Sequence, residues 1–263
     1  MKTPLIVTTS WDDGHPSDLR VADLLEKHGL SGTFYVPCVN VEGKPVMGAA
    51  DIVRLGQRFE IGGHTRDHVS LTATAPQLAE DQIRYNKHWL EDLLGKEVPG
   101  FAYVRGHHDQ RLRKLVKEAG FQYARTVRNL MSTPGSDPLQ VPTTVQFYRH
   151  SRATYLRNYI SGGPAPSRAA VLASLLLGGG LEERCSEAID ACARLGGYFH
   201  LWGHSWELDE HDLWQPLEEL FIRLRASDAH FVTNSGWCAS VTGRVRTRRG
   251  LPGEVVEASP GGP

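Results

Sequence analysis

The sequence predicts an α/β fold built on a parallel sheet. Short apolar, β-branched runs alternate with amphipathic stretches along most of the chain. Each run follows the last by about 25 to 35 residues, the length a helical crossover needs. Glycine or proline stands at most of the junctions. A chain of 263 residues can bury one large core.

Leu5-Ile6-Val7-Thr8-Thr9 reads as a first buried strand. A helix over 16–29 follows, with Leu19, Val21, Leu24 and Leu25 on one face and Gly29 ending it. A second strand at 33–36 is halted by Pro37, and 39–49 reads as a loop over one rim. A short helix at 50–55 leads to a third strand at 59–63. After a Thr-rich connection, a long amphipathic helix spans 76–94, with Leu78, Ile83, Trp89, Leu90 and Leu93 facing inward. A fourth strand at 100–104, a helix at 109–119 stopped by Gly120, and a fifth strand at 121–125 come next. Residues 131–166 are less regular, with Val141, Val145, Phe147 and Tyr148 marking one strand. Helices at 167–176 and 181–195, a late strand at 198–202, a helix at 216–225 and a last strand at 231–233 complete the pattern. The expected organisation is one folded domain over 1–240 and a flexible tail over 241–263, where Pro and Gly dominate beyond Gly250.

Charge is balanced, 29 basic against 30 acidic residues, which argues against nucleic acid or an anionic membrane as partner. The Arg-rich stretch 244–249 is a local exception that reads as a solvated tail. The four cysteines (Cys38, Cys185, Cys192 and Cys238) form no C-x-x-C pair. That pattern fits neither a disulfide framework nor a cysteine zinc site. No apolar run approaches the roughly 20 residues of a membrane span, and the N-terminus enters a strand directly, so the expectation is a soluble cytoplasmic protein. Oligomeric state is not legible.

The chemistry starts at Ser10-Trp11-Asp12-Asp13-Gly14. Two like charges side by side at a strand end repel unless a cation sits there or the two acids do different jobs. Capping of the next helix would account for one Asp, not both. The third strand ends in Gly62-Gly63-His64-Thr65-Arg66-Asp67-His68, whose two His share a face if the segment makes a helical turn. One Asp with two His is a three-ligand set that leaves coordination open, as catalytic metals require. Further along, the late strand runs into Leu201-Trp202-Gly203-His204-Ser205-Trp206, where Gly203 relaxes the backbone and two Trp flank a His.

With these motifs, the segment from about residue 9 to 235 resembles the polysaccharide deacetylases of the NodB-homology type, carbohydrate esterase family four. The resemblance implies a distorted (β/α) barrel of about seven parallel strands. It also implies a divalent metal, most often Zn2+ with Co2+, Mn2+ or Ni2+ as variants, and removal of acetyl groups from acylated sugars. Carried over residue by residue, Asp12 matches the general base and Asp13, His64 and His68 the metal ligands. His204 matches the general acid, with mid-strand His200 as its rival. Phe101-Ala102-Tyr103-Val104-Arg105-Gly106 resembles the third motif with Val and Arg in place of Pro and Tyr, so the Arg105 N–H takes the oxyanion role. The usual D-x-x-D-W motif is missing; Arg125 stands near its place and is expected to orient Asp12. Glu207 and Asp209 are the candidates for tuning His204. Tyr103, Trp202 and Trp206 are the expected substrate-binding residues.

Two other classes share parts of this pattern. A facial triad of two His and one carboxylate also holds non-haem iron; restoring activity with zinc or iron(II) after chelation separates the two. A non-catalytic carbohydrate binder would need no general base beside its ligand set. Within the enzyme reading, a small non-sugar acyl-amide is the alternative substrate.

Overall fold

Strand β1 (Ile6–Asp12) is buried along nearly its whole length and has neighbours on both edges. The computed structural model describes residues 4–240, so the expected tail and its Arg-rich stretch lie outside the described residues. The other strands are β2 (Thr33–Val36), β3 (Glu60–Gly63), β4 (Gly100–Ala102), β5 (Tyr123–Arg125), β6 (Val145–Gln146), β7 (Tyr198–His204) and β8 (His230–Phe231). Every pairing is parallel, in the order β5-β4-β3-β2-β1-β7-β6. Strand β7 pairs with β1 from Ile6 to Asp12, so the other edge of β1 is shared, β8 taking Ile6 and Val7 and β2 taking Ser10 and Trp11.

The two outer strands are drawn together by the segment 141–146. Val141 bridges to Arg125 of β5, and Val145 pairs with Leu201 of β7. This brings the edges of the curled sheet toward each other, a half-barrel consistent with the distorted barrel that the resemblance implies. Parallel strands covered by helices carry apolar residues on both faces, and β1, β2 and β7 are buried almost throughout.

The crossovers are α1 (Asp18–Lys27), α2 (Ala49–Arg58), α3 (Pro76–Leu94) and α4 (Gln110–Glu118), followed by α5 (Arg152–Ser161), α6 (Pro166–Leu177), α7 (Leu181–Leu195), α8 (Ser205–Glu210) and α9 (Trp214–Arg225). Helix α3 has the expected ends, with Pro76 in its first turn and Gly95 closing it in a left-handed conformation. Its buried stripe differs from expectation. Leu78 is exposed, and the inward face carries Ala79, Gln82, Ile83, Asn86, Lys87 and Leu90. A purely apolar reading misses the two amides because they face the site and not the core.

Three further expectations are corrected. Strand β1 does not stop at Thr9 but continues through Trp11 and Asp12, because β7 pairs with it to the end. Residues 131–166 contain a helix, α5, whose Arg and Asn residues hide its pattern. Gly203 does not loosen the backbone; it lies inside β7, where a Cβ would come within 3.2 Å of Trp11 Cζ3. Cys185 and Cys192 are buried on α7, as small hydrophobes. No helix among the described residues is long and apolar enough to cross a membrane.

Candidate active site

The strand C-termini open into a cleft of about 850 Å³ whose lining includes Asp12, Asp13, His64, His68, Arg105, Trp202, His204 and Trp206, the end of a parallel barrel where sites are expected. Asp12 is the last residue of β1 and registers directly beside His204 of β7. The next two residues turn sharply, Asp13 at φ 78° and Gly14 at φ 61°. A side chain at position 14 would sit 2.9 Å from Val36 Cγ1, so the turn needs glycine for both conformation and space. The turn separates the two acids into different surroundings.

Asp12 is buried against Arg125, whose Nη2 reaches both carboxylate oxygens. Arg125 is itself fully buried, with its guanidinium 5.2 Å from the Tyr35 ring centre and 5.0 Å from that of Trp202. A buried charge must be paired, and each of these ions is the other's partner. Arg125, at the end of β5, thus meets Asp12 at the end of β1.

Asp13 faces two imidazoles. Its Oδ1 lies 2.9 Å from His68 Nε2 and 3.6 Å from His64 Nε2. His64 and His68 do not meet on a helical turn. The chain from Thr65 to His68 is an irregular loop with positive φ at Thr65 (66°) and His68 (55°), which brings the ring centroids to 5.1 Å. Helix α3 supports this loop. Asn86 Oδ1 accepts from the His64 N–H at 2.8 Å, and Gln82 Oε1 accepts from the Asp67 N–H at 2.9 Å. His64 Nδ1–H donates to the Ala102 carbonyl at 2.8 Å, which leaves Nε2 with a free lone pair toward Asp13.

The donor set fits a divalent cation. Among the described residues Asp13, His64 and His68 are the group whose ligand atoms all lie within 4.8 Å of one another. Asp13 Oδ1 is buried and faces the Nε2 atoms of His64 and His68, an acceptor set that a cation between the three would satisfy. Burial pushes the Asp13 carboxyl up, but its contacts with His64 and His68 and the nearby His204 outweigh this and hold it well below the usual carboxylate range. A carboxylate and neutral imidazoles with an open side suit Zn2+ and its neighbours.

His204 stands at the end of β7 with Nδ1 2.9 Å from Glu207 Oε2, one turn along α8. Burial lowers its pKa, but Glu207, Asp13 and Asp12 raise it more, to about 9. Glu207, not Asp209, is the neighbour; Asp209 binds Ser17 and Trp214 instead. Glu207 also accepts from Gln146 Nε2 at 3.1 Å, and Gln146 Oε1 lies 3.0 Å from His150 Nε2. The rival, His200, is fully buried among Thr8, Ser10 and Tyr198, with its pKa driven down by burial and by Arg125. It does not reach the cleft.

The aromatic residues divide. Trp202 lines the cleft. Trp206 lines it too, yet its indole N–H donates to Asp13 Oδ2 at 2.9 Å and its face stacks on His204 at 5.2 Å. Tyr103 is corrected: it is 2 % exposed, points its hydroxyl to the Leu139 carbonyl and lies outside the cleft lining. Arg105 is at the rim with φ 56°, and its side chain is taken up by Glu42.

A sequence profile described as "Polysaccharide deacetylase" matches residues 2–124, which carry the Asp pair and both metal-site His. The N-terminal half of the chain, which holds Asp12, Asp13, His64 and His68 of the candidate site, is thus similar to the polysaccharide deacetylase family. A peptidoglycan-N-acetylglucosamine deacetylase of Bacillus cereus is 26 % identical over 123 residues, covering 44 % of this chain and 54 % of the relative. The chain spans about half the length of the curated relatives it matches. In fold it is similar to a Mycobacterium smegmatis protein assigned to the polysaccharide deacetylases, with TM-score 0.66, 16 % identity, and 98 % and 96 % of the two chains covered. It is also similar to a family 4 acetyl xylan esterase of Clostridium thermocellum in complex with cobalt, with TM-score 0.57, 16 % identity, and 90 % and 92 % covered.

The members of the site that sequence reading missed all come from outside the motifs. Gln82 and Asn86 are four apart in α3, two amides on its inward face and the one signal available. Gln146 lies in a two-residue strand and gives no signal. Asp18, in the first turn of α1, is fully buried near both acids; burial, with the charges of Asp13 and Asp12, raises its pKa well above the usual value.

Proposed function

We propose that this chain is a polysaccharide-deacetylase-like, divalent-metal-dependent hydrolase that removes the acetyl group from an N-acetylated sugar. The observation that carries this reading is the separation of the two adjacent acids: Asp12 is held by a guanidinium, Asp13 by the imidazoles of a cation site. A cation bound by Asp13, His64 and His68 supplies Lewis-acid polarisation of the acyl carbonyl and acidifies water.

Asp12 takes the proton from the attacking water, with Arg125 fixing its orientation. The Arg105 N–H holds the oxyanion that develops on the acyl oxygen, a contact whose loss costs about 100-fold or more. His204, protonated because Glu207 and the acids keep its pKa near 9, gives its proton to the leaving amine nitrogen. The C–N bond breaks, and acetate and a free amine result. Trp202 offers a sugar face an apolar wall.

The test is Asp12→Asn, with metal content and acetate release from N-acetylglucosamine oligomers measured together. Metal retained with acetate release lost is the expected result; full activity with metal bound would show that the base is another group. Asp13→Asn, His64→Ala and His68→Ala are expected to lose metal first, and undisturbed metal content in all three would remove the assigned site.

A further inference from the structure

One wall of the cleft is cationic and its charge is not compensated. Between Asp137 and Glu182 the sequence contains no Asp or Glu, while Arg149, Arg152, Arg157 and Arg168 fall in this stretch. From it and from the turn after β5, Arg128, Arg157 and Arg168 reach the cleft lining together with Asn129, Thr154 and Asn158. The acids that line the cleft are each engaged. Asp12 faces Arg125, Asp13 the two His, Glu42 faces Arg105, and Glu207 faces His204.

The guanidiniums of Arg128 and Arg157 differ. Both residues are exposed at the cleft, and neither side chain has a hydrogen bond or ion pair among the described residues. Arg168 is 2 % exposed, and it donates to the carbonyls of Asn129, Asn158, Tyr159 and Gly163. Its hydrogen bonds are met but its charge has no counter-ion. Burial and the charge of Arg128 lower its pKa, and burial and Arg157 do the same to His150. Like charges gathered in a concave, partly desolvated wall focus a positive potential on whatever enters.

We propose that this wall is an anion subsite: the acylated sugar carries an oxyanionic group, phosphoryl or carboxylate, that Arg128 and Arg157 bind while its acyl group lies at the Asp13–His64–His68 cluster. The forked donors of arginine match both kinds of oxyanion. Asn129, Thr154 and Asn158 add neutral donors beside them. A neutral glycan would leave the two guanidiniums without partners. The inference rests on the hydrolytic reading above and narrows its substrate class.

The experiment has a turnover arm and a binding arm. In the first, kcat/KM is measured for matched pairs, N-acetylglucosamine against its 1-phosphate and a neutral acetylated disaccharide against its uronate counterpart. The enzymes are wild type, Arg128→Ala, Arg157→Ala and the double variant, all loaded with the same metal. The anionic member is expected to be favoured about tenfold or more, the size of a charge-assisted hydrogen bond. That ratio should collapse toward one in the double variant and partly return with Arg157→Lys. Which pair shows the preference separates phosphoryl from carboxylate.

In the second arm, calorimetry compares the 1-phosphate with the neutral sugar on metal-loaded Asp12→Asn, with and without both arginine substitutions. Any phosphate contact with the metal is common to both proteins, so the difference between them reports the arginines. Tighter binding of the phosphorylated sugar that vanishes with the arginines supports the subsite even if no pair is turned over, in which case it is the hydrolytic reading that fails. Equal binding of the two sugars, or equal binding by both proteins, overturns the subsite.

Discussion

Replacing Glu207 by glutamine tests how His204, the proposed acid, is kept protonated. His204 is held up to about 9, against an ordinary 6.5, by Glu207 and by the two acids of β1 and its turn. A cation on Asp13 offsets that carboxylate, which leaves Glu207, 2.9 Å from Nδ1, as the principal support. The Glu207→Gln change would keep the shape and the contact with Gln146 while removing the charge. A general acid works only while it carries its proton, so activity is present below the pKa of His204 and lost as pH rises through it. With the pKa back at its ordinary value, the protonated fraction at pH 8 falls from about 90 % to about 3 %, roughly thirtyfold, while at pH 6 it changes little. The assay is kcat against pH for both proteins, loaded with the same metal. An alkaline limb that stays in place, or a loss of equal size at pH 6 and pH 8, would refute the assignment of Glu207 as the group that tunes His204.

Trp206→Phe removes the N–H from Asp13 Oδ2 and should weaken metal binding by about 10- to 100-fold, as loss of a supporting donor to a ligand does; competition against a chelator reads this directly. Arg125→Met leaves Asp12 buried without its partner and should cost about 3–5 kcal/mol of stability, much of which Asp12→Asn in the same chain should restore in a denaturant titration. Asp18 is fully buried, and the neighbouring Ser205 and His204 do not offset its desolvation. Its folded pKa lies above the unfolded value, so the penalty is absent at acid pH and grows as pH rises from the unfolded value toward the folded one. Asp18→Asn should therefore melt higher than wild type at neutral pH, by a few degrees for about 1 kcal/mol, and by less near pH 4.

Much of the fold was legible because strands and crossovers follow local rules. Helix α3 begins at a proline and ends at a glycine, and α7 is bounded by Gly180 and Gly196, so their limits could be read directly. The Asp pair, the two His of the loop after β3 and His204 were legible as chemistry, because acids and imidazoles at strand ends have few structural reasons to be there. Of their supporters, Arg125 is expected from the resemblance and Asn86 is not, although both act over long separations. Arg125 reaches Asp12 across 113 positions of sequence, and Asn86 reaches His64 across 22. Such contacts are set by which strands neighbour in the barrel. Tyr103 went the other way: it belongs to a motif that resembles a binding element, yet the turn at Arg105 buries it against His108 and Leu139.

The backbone itself gives a further argument for where function lies. Among the described residues six non-glycine positions have positive φ, and four of them, Asp13, Thr65, His68 and Arg105, belong to the proposed site or its supporting loop. Each such conformation costs of the order of 1–3 kcal/mol and persists only where the surroundings impose it. Here the surroundings are identifiable. Gly14 packs on β2, Gln82 and Asn86 of α3 hold the loop from His64 to Asp67, and the Tyr103 carbonyl accepts from the Gly106 N–H at 2.8 Å. The strain is placed where two carboxylates and two imidazoles must be set closer together, and further from water, than an isolated chain would allow. A fold selected for stability alone would relax these turns with glycine or asparagine. Keeping Asp, His and Arg in them trades stability for fixed positions at the cleft, which supports the cation and oxyanion roles proposed for them.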